Sequence, residues 1–350
     1  MRVRDMTWFE TDWFRDLTNE KKLRPEKAVA LPARRKEQFD PAGYLPDAGL
    51  ADVLRVALIL RRPLLLTGEP GTGKTDCARY LAWKLRYGSE PNYEPLIFEA
   101  KSNSEASDLF YTYDTLGRFQ AKQTGEESID PLDYLHYNAL GEAILQAYPA
   151  DAPEIKGCLP KDDWKHRGPL QSVVLIDEID KAPRDFPNDL LNEIDRSYFK
   201  IRELNNRKID APADKLPLLI VTSNSEKNLP AAFLRRCVYY DIPFPNEDER
   251  LEAIVASRLS EFRGLESPLL AEGIEFFRYL REGEAGLQKL PATAELLDWL
   301  VYLTQRGADL KKGLRKQDSV VKPSLVTLLK HEQDQKRRDE LWNGWVTRTV

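Results

Sequence analysis

An ammonium group, two hydroxyls and three glycines stand close together in the stretch Gly68-Glu69-Pro70-Gly71-Thr72-Gly73-Lys74-Thr75. The spacing fits the phosphate-loop pattern G-x-x-x-x-G-K-[ST]. Glycines let the backbone turn tightly and aim its N–H groups inward at an anion. Lys74 is then placed to reach the β- and γ-phosphates of a nucleotide, and the Thr75 hydroxyl to bind Mg²⁺. The apolar run Leu64-Leu65-Leu66 precedes the loop, and Asp76-Cys77-Ala78-Arg79-Tyr80-Leu81-Ala82-Trp83-Lys84-Leu85 follows it with helical character. A strand, a turn and a helix whose N-terminal dipole favours an anion are therefore expected, with nucleotide contacts from Gly68 through Asp76.

A second chemical cluster ends another apolar run. Val173-Val174-Leu175-Ile176 leads directly into Asp177-Glu178, and ligands of open α/β sheets bind at the C-terminal edge of the strands. Asp177 suits Mg²⁺, and Glu178 suits the orientation and deprotonation of a water that attacks the γ-phosphate. Leu216 to Val221 reads as a further strand that ends in Thr222-Ser223-Asn224, where the Asn224 amide can hydrogen-bond the water or the γ-phosphate. Arg235 and Arg236 stand just before the next apolar run, Cys237 to Ile242. A guanidinium projecting from a subunit edge there can stabilise transition-state charge in a neighbour's site.

These groups need a scaffold that holds them at one edge. Pro63–Thr67, Pro95–Ala100, Ser172–Asp177, Leu216–Val221 and Cys237–Ile242 read as five strands, most of them separated by helical segments. That alternation predicts an α/β fold, a parallel sheet with helices on both faces, over about residues 41–245. A helix over Leu50 to Leu60 precedes the first strand, with Asp47 as its cap. Past Pro243-Phe244-Pro245, four amphipathic patterns near 247–263, 270–281, 293–305 and 324–345 predict a small helical lid within 246–350. Residues 1–40 form an N-terminal extension in which Trp8, Phe9, Trp13 and Phe14 are expected to staple a short helix to the body.

Composition excludes several classes. The chain has 350 residues, with 52 Lys and Arg against 57 Asp and Glu and a net charge of −5, so no overall basic field points to nucleic acid or a membrane surface. Cys77, Cys158 and Cys237 lack metal-ligand spacing and read as buried thiols in a reducing compartment. No apolar segment is long enough to span a bilayer and no leader pattern opens the sequence, which gives a cytoplasmic expectation.

Together these residues resemble the AAA+ ATPases, and within them the MoxR-like branch. The resemblance rests on Gly68–Thr75 as Walker A, Asp177-Glu178-Ile179-Asp180-Lys181-Ala182-Pro183 as Walker B, Asn224 as sensor 1 and Leu234-Arg235-Arg236-Cys237 as the arginine-finger segment. It implies a P-loop NTPase αβα sandwich with sheet order 5-1-4-3-2, a helical lid, and a homo-oligomeric ring, usually a hexamer, with ATP or ADP and Mg²⁺ between subunits. It also implies two inserted hairpins that face a central pore. One is expected around a turn at Gly117 in Phe110–Phe119, making Tyr111, Tyr113 and Phe119 candidates to grip a client; the other spans Tyr198–Leu204 with Ile209. Where many relatives carry a sensor-2 arginine, this chain reads Leu290-Pro291-Ala292-Thr293-Ala294-Glu295, with Thr293 as the expected helix cap and Lys289 as an alternative cation.

The resemblance implies a Mg²⁺-dependent ATPase that remodels or activates a protein partner, of which a von Willebrand factor A domain protein is the type associated with this branch. Two other classes remain open at the level of sequence. A nucleotide-gated scaffold with little turnover fits the missing sensor-2 arginine, and a nucleic-acid-directed motor requires a basic stripe that the acidic total argues against.

Overall fold

Asp47 has the extended backbone of a helix cap, and its carboxylate accepts the Gly49 N–H at 2.7 Å, so the chain enters helix α1, Ala48–Leu60, where the sequence places it. The computed structural model describes residues 40–124, 130–160, 164–191, 194, 197–224 and 229–348. The chain divides into two units, Met1–Gln38 and Phe39–Val350, and the second contains all of these residues. The staple expected from Trp8, Phe9, Trp13 and Phe14 lies outside the described residues.

Strand β1, Leu64–Thr67, is buried along its whole length and feeds the phosphate loop and helix α2, Lys74–Leu85. Then come β2 (Leu96–Glu99), β3 (Tyr111–Tyr113), helix α3 (Thr115–Thr124), β4 (Leu135–Tyr137) and helix α4 (Ala139–Gln146). The remaining strands are β5 (Val173–Asp177), β6 (Tyr198–Ile201), β7 (Arg207–Asp210), β8 (Leu218–Thr222) and β9 (Val238–Asp241). β2, β5, β8, β1 and β9 lie side by side in that order, all parallel, which is the expected 5-1-4-3-2 arrangement when these five are counted along the chain.

Alternation of side chains splits the core between the two faces of this sheet. Leu64, Leu66, Val173, Leu175 and Ile220 pack with Ala78 and Leu81 of α2 on one face. Leu65, Val174, Ile176 and Val221 pack with Ile144 and Leu145 of α4 on the other. Strands buried on both faces need continuous apolar runs, and these runs are what made the sheet readable.

The two expected hairpins differ in outcome. β6 and β7 pair antiparallel, with Phe199 opposite Ile209, as expected for the second. The first does not turn at Gly117. β3 pairs with β4, Tyr111 opposite Tyr137, and Gly117 sits inside α3 between them. Asp114 is the reason: its carboxylate accepts the Gly117 N–H at 2.8 Å and starts a helix where a glycine turn was expected.

The lid begins with α5 (Asp248–Arg258), α6 (Pro268–Arg281) and α7 (Thr293–Gln305), close to the expected spans. The fourth pattern is not one helix over 324–345. Instead α8 (Asp318–Ser324), α9 (Glu332–Lys336) and α10 (Arg338–Thr347) follow one another with breaks. Asp334, within the charged run Lys330–Glu340, is buried and accepts the N–H groups of Gln288 and Lys289 at 3.0 and 3.2 Å. The break at Arg337 lets Trp342 and Trp345 close on Phe276, at ring distances of 5.3 and 5.1 Å. Thr293 is not the cap of α7. Ala292 is, and Glu295 reaches back to the Ala292 N–H at 3.1 Å.

Cys77, Cys158 and Cys237 are all buried. No helix among the described residues is long and apolar enough to cross a membrane.

Candidate functional site

The phosphate loop leaves the C-terminal end of β1 with Gly68, Gly71 and Gly73 at φ of +135°, +80° and +85°. Only glycine adopts such angles without strain. At Gly68 a Cβ would stand 2.7 Å from the Ile242 carbonyl oxygen, so neighbouring backbone also requires the bare position. Lys74 opens α2 and is nearly buried; its Nζ donates to the Gly68 and Glu69 carbonyl oxygens at 2.7 and 3.1 Å. Burial pulls its pKa below the ordinary lysine value, against the pull of Asp180, Asp177 and Glu178 nearby. An anion entering this loop would meet a cation whose hydrogen-bond partners among the described residues are carbonyl oxygens, and which gains from the exchange.

Thr75 and Asp177 come together although the sequence separates them widely. The Thr75 hydroxyl lies 3.1 and 3.2 Å from the two Asp177 carboxylate oxygens. β5 beside β8 then sets the next layer, because Ile176 pairs with Val221 and brings Thr222 level with Asp177. The Thr222 hydroxyl donates to Asp177 and accepts the Glu178 N–H at 2.8 Å. A hydroxyl and a carboxylate are hard oxygen donors of the kind Mg²⁺ prefers, and this pair fits such an ion.

Glu178 itself is held in the left-handed region, φ +53° and ψ +50°. For a non-glycine residue this costs on the order of 1–3 kcal/mol and persists where surrounding contacts enforce it. The turn ejects its carboxylate from the strand line, where Lys181 binds it. Asp180 accepts the Asn224 N–H at 3.2 Å and the Ser223 hydroxyl at 3.3 Å, which fixes the end of β8 next to the Asp177-Glu178 turn. Asn224 is exposed at this edge.

The remaining candidates separate. The Asp76 carboxylate is committed to Arg79 in its own helix and to Arg258 of α5, so its side chain ties the loop helix to the lid. Arg235 and Arg236 precede β9, whose first residue Val238 pairs with Leu64, the first residue of β1. They therefore lie at the edge of the sheet opposite the phosphate loop, roughly 13 Å away along a four-residue strand. Arg235 is exposed, and Arg236 donates to the Ala232 carbonyl at 3.1 Å.

Among the aromatic grip candidates, Tyr111 is buried and its hydroxyl accepts the Arg202 N–H at 3.1 Å, joining the two hairpins. Burial pushes its phenol pKa up. Tyr113 is half-buried with Arg118 over its ring, and Phe119 stands 56% exposed beside Leu116 at 66%. Only Phe119 of the three is presented to solvent.

Sequence reasoning missed Thr222, Asp180 and Arg281. Thr222 and Asp180 act through strand register; each stands two residues from Asn224 and Glu178 respectively, within the segments quoted for those residues but without a role of its own. Arg281 closes α6 and pairs with Glu69 of the loop at 2.7 Å, whereas Lys289, the cation considered from sequence, is exposed.

The family model for the AAA domain, dynein-related subfamily, matches residues 63–237, half of the chain. The match runs from the residue before β1 to the residue before β9 and contains the phosphate loop, Asp177, Glu178, Asn224, Arg235 and Arg236. No curated protein matches the chain.

Proposed function

Because the chain belongs to the AAA domain family, dynein-related subfamily, we propose that it is a Mg²⁺-dependent ATPase of the MoxR-like type that uses ATP to remodel or activate a protein partner. The family carries ATP-driven activity in general. The observation that carries the more specific reading is the contact of Thr75 with Asp177 at 3.1 Å, which unites the two halves of a nucleotide site on one sheet edge. The β6–β7 hairpin inserted before β8 supports the branch.

In this reading Lys74 exchanges its carbonyl partners for phosphate oxygens, and the glycine turns and the start of α2 surround the anion with N–H dipoles. Mg²⁺, when bound, neutralises phosphate charge, and Thr75 and Asp177 are the residues that would hold it. Glu178 takes the proton of the attacking water, a role worth typically 10²–10⁴ in rate. Its carboxylate must first leave Lys181. Arg235 and Arg236 cannot serve the loop of their own chain from the opposite edge, which supports a ring in which a second copy supplies them. Such a ring, hexameric by resemblance, would present Phe119 to a client, and a von Willebrand factor A domain protein remains the proposed class of partner.

Glu178→Gln tests the chemistry. The variant is expected to keep nucleotide affinity within about twofold while single-turnover hydrolysis falls by at least about 10². Hydrolysis at the wild-type rate would remove Glu178 from the role of base. The Glu178–Lys181 contact favours a second reading, a nucleotide-gated scaffold with little turnover. Negligible single-turnover hydrolysis by the wild-type assembly would select it.

A further inference from the structure

Arg281 is the last residue of α6 and lies where three separate parts of the chain meet. Its Nη2 pairs with the Glu69 carboxylate of the phosphate loop at 2.7 Å, and its Nη1 donates to the Pro291 carbonyl, just before α7, at 2.6 Å. Its guanidinium carbon stands 3.5 Å from the ring centroid of Phe244, in the connection between the sheet domain and the lid. The side chain is 12% exposed. A planar guanidinium that stacks on an aromatic face while its edges bind a carboxylate and a carbonyl uses every feature that distinguishes arginine from lysine.

Both residues gripped by Arg281 bear on the loop. The Glu69 carbonyl accepts the Thr72 N–H at 3.3 Å, the Thr72 hydroxyl at 3.0 Å and the Lys74 ammonium at 3.1 Å. Glu69 therefore sets the conformation of the turn that presents Lys74. On the other side, Pro291 leads into the start of α7, which lies directly on the loop. A Cβ built on Gly71 would stand 3.0 Å from the Ala292 Cβ, 3.4 Å from the Thr293 nitrogen and 3.3 Å from the Ala294 nitrogen.

We propose that Arg281 is a positioning residue that ties lid to phosphate loop, so that the shape of the loop and the seating of α7 against it form a single equilibrium on which nucleotide affinity depends. This rests on the loop being a nucleotide site, as proposed above. Arg281 touches no phosphate in this account and acts through Glu69 and Pro291. If the Glu69 ion pair opens, the loop loses the anchor of the turn that bears Lys74, and α7 loses its hold beside Gly71.

The test uses the full chain. Titration with fluorescent ATP and ADP analogues, together with amide hydrogen exchange, is run on wild type, Arg281→Ala, Arg281→Lys, Glu69→Gln and the Arg281→Ala/Glu69→Gln double variant. Arg281→Ala is expected to weaken nucleotide binding about tenfold, the loss of one charge-assisted contact. Glu69→Gln should weaken it in the same direction, and the double variant no further than the worse single. Arg281→Lys, which keeps the charge but loses the stacked fork, should fall between wild type and Arg281→Ala.

Exchange should quicken at residues 69–73 and 288–294 together, even without nucleotide. Additive losses in the double variant, or wild-type affinity and exchange in Arg281→Ala, would overturn the proposal. Should Arg281→Ala fail to fold, Glu69→Gln alone decides it: unchanged exchange at 288–294 contradicts the coupling. If wild type binds neither analogue, the nucleotide reading fails, while the exchange measurements still report whether lid and loop are linked.

Discussion

Thr222 shows how much of the site depends on one hydroxyl. It donates to Asp177 and accepts from the Glu178 backbone, so it aligns the Asp177 carboxylate and the turn that carries Glu178. Thr222→Val keeps the volume but removes both hydrogen bonds, and leaves the Glu178 N–H without its partner at a cost of about 1–3 kcal/mol. The expected outcome is a Mg²⁺ requirement for hydrolysis raised at least about tenfold, with Mg²⁺-free nucleotide affinity little changed. A Mg²⁺ titration of the ATPase rate checks it.

At this scale the sequence was informative where chemistry repeats a local pattern. Lys74, Thr75, Asp177 and Glu178 are found by spacing and by the apolar runs before them. Thr222, Asp180 and Arg281 are not, because they act on residues far along the chain: Thr222 through the register of β5 with β8, Arg281 across the whole nucleotide domain. Asp76 was legible as part of the loop, but the pairing of its carboxylate with Arg258 was not.

The elements repeat the contrast. Asp47 caps α1 as expected and also binds the Tyr240 hydroxyl of β9, so it fixes where the helix meets the sheet. Asp47→Ala is expected to cost about 1 kcal/mol of stability near neutral pH, as lost N-caps typically do. The Tyr240 hydrogen bond, first among the causes, holds the Asp47 carboxyl below its ordinary value. A depressed folded-state pKa stabilises above the unfolded value of about 3.9 and loses that stabilisation as pH falls through the folded value. The gap between wild type and Asp47→Ala should therefore be full at neutral pH and shrink below pH of about 4, as read by denaturant melts across that range.

Elements whose cues were local and unopposed came out as expected: the buried strands, α6 and α7. Two others did not. At Gly117 the Asp114 cap outweighed the turn signal of a lone glycine. In the stretch 324–345 the amphipathic pattern predicts one continuous helix, but Asp334 is buried against the turn at 288–289, and Trp342 and Trp345 seek Phe276. A buried carboxylate inside a charged run cannot be told from its exposed neighbours without the partner that satisfies it.

On the scale of the whole molecule, the sheet divides the proposed machinery between opposite edges. The phosphate loop, Asp177, Glu178 and Asn224 occupy one edge, and Arg235 and Arg236 the other. In the proposed ring a single copy would hold both halves of an interface and could not bring them together itself. If the arginines act on a neighbour, an Arg235→Ala/Arg236→Ala variant mixed with Lys74→Ala subunits should recover activity that neither shows alone, because some interfaces then join an intact loop to intact arginines. Absence of recovery in mixed assemblies of confirmed size leaves the arginines with a role inside their own chain.

The central claim is an ATPase completed by assembly, and the most direct measurement is the Mg²⁺-dependent ATPase rate per chain against protein concentration, with mass read by light scattering at each point. Specific activity should climb as mass rises to a ring, and Glu178→Gln should assemble equally without turnover. Full specific activity in the monomer, unchanged at every concentration, would contradict it.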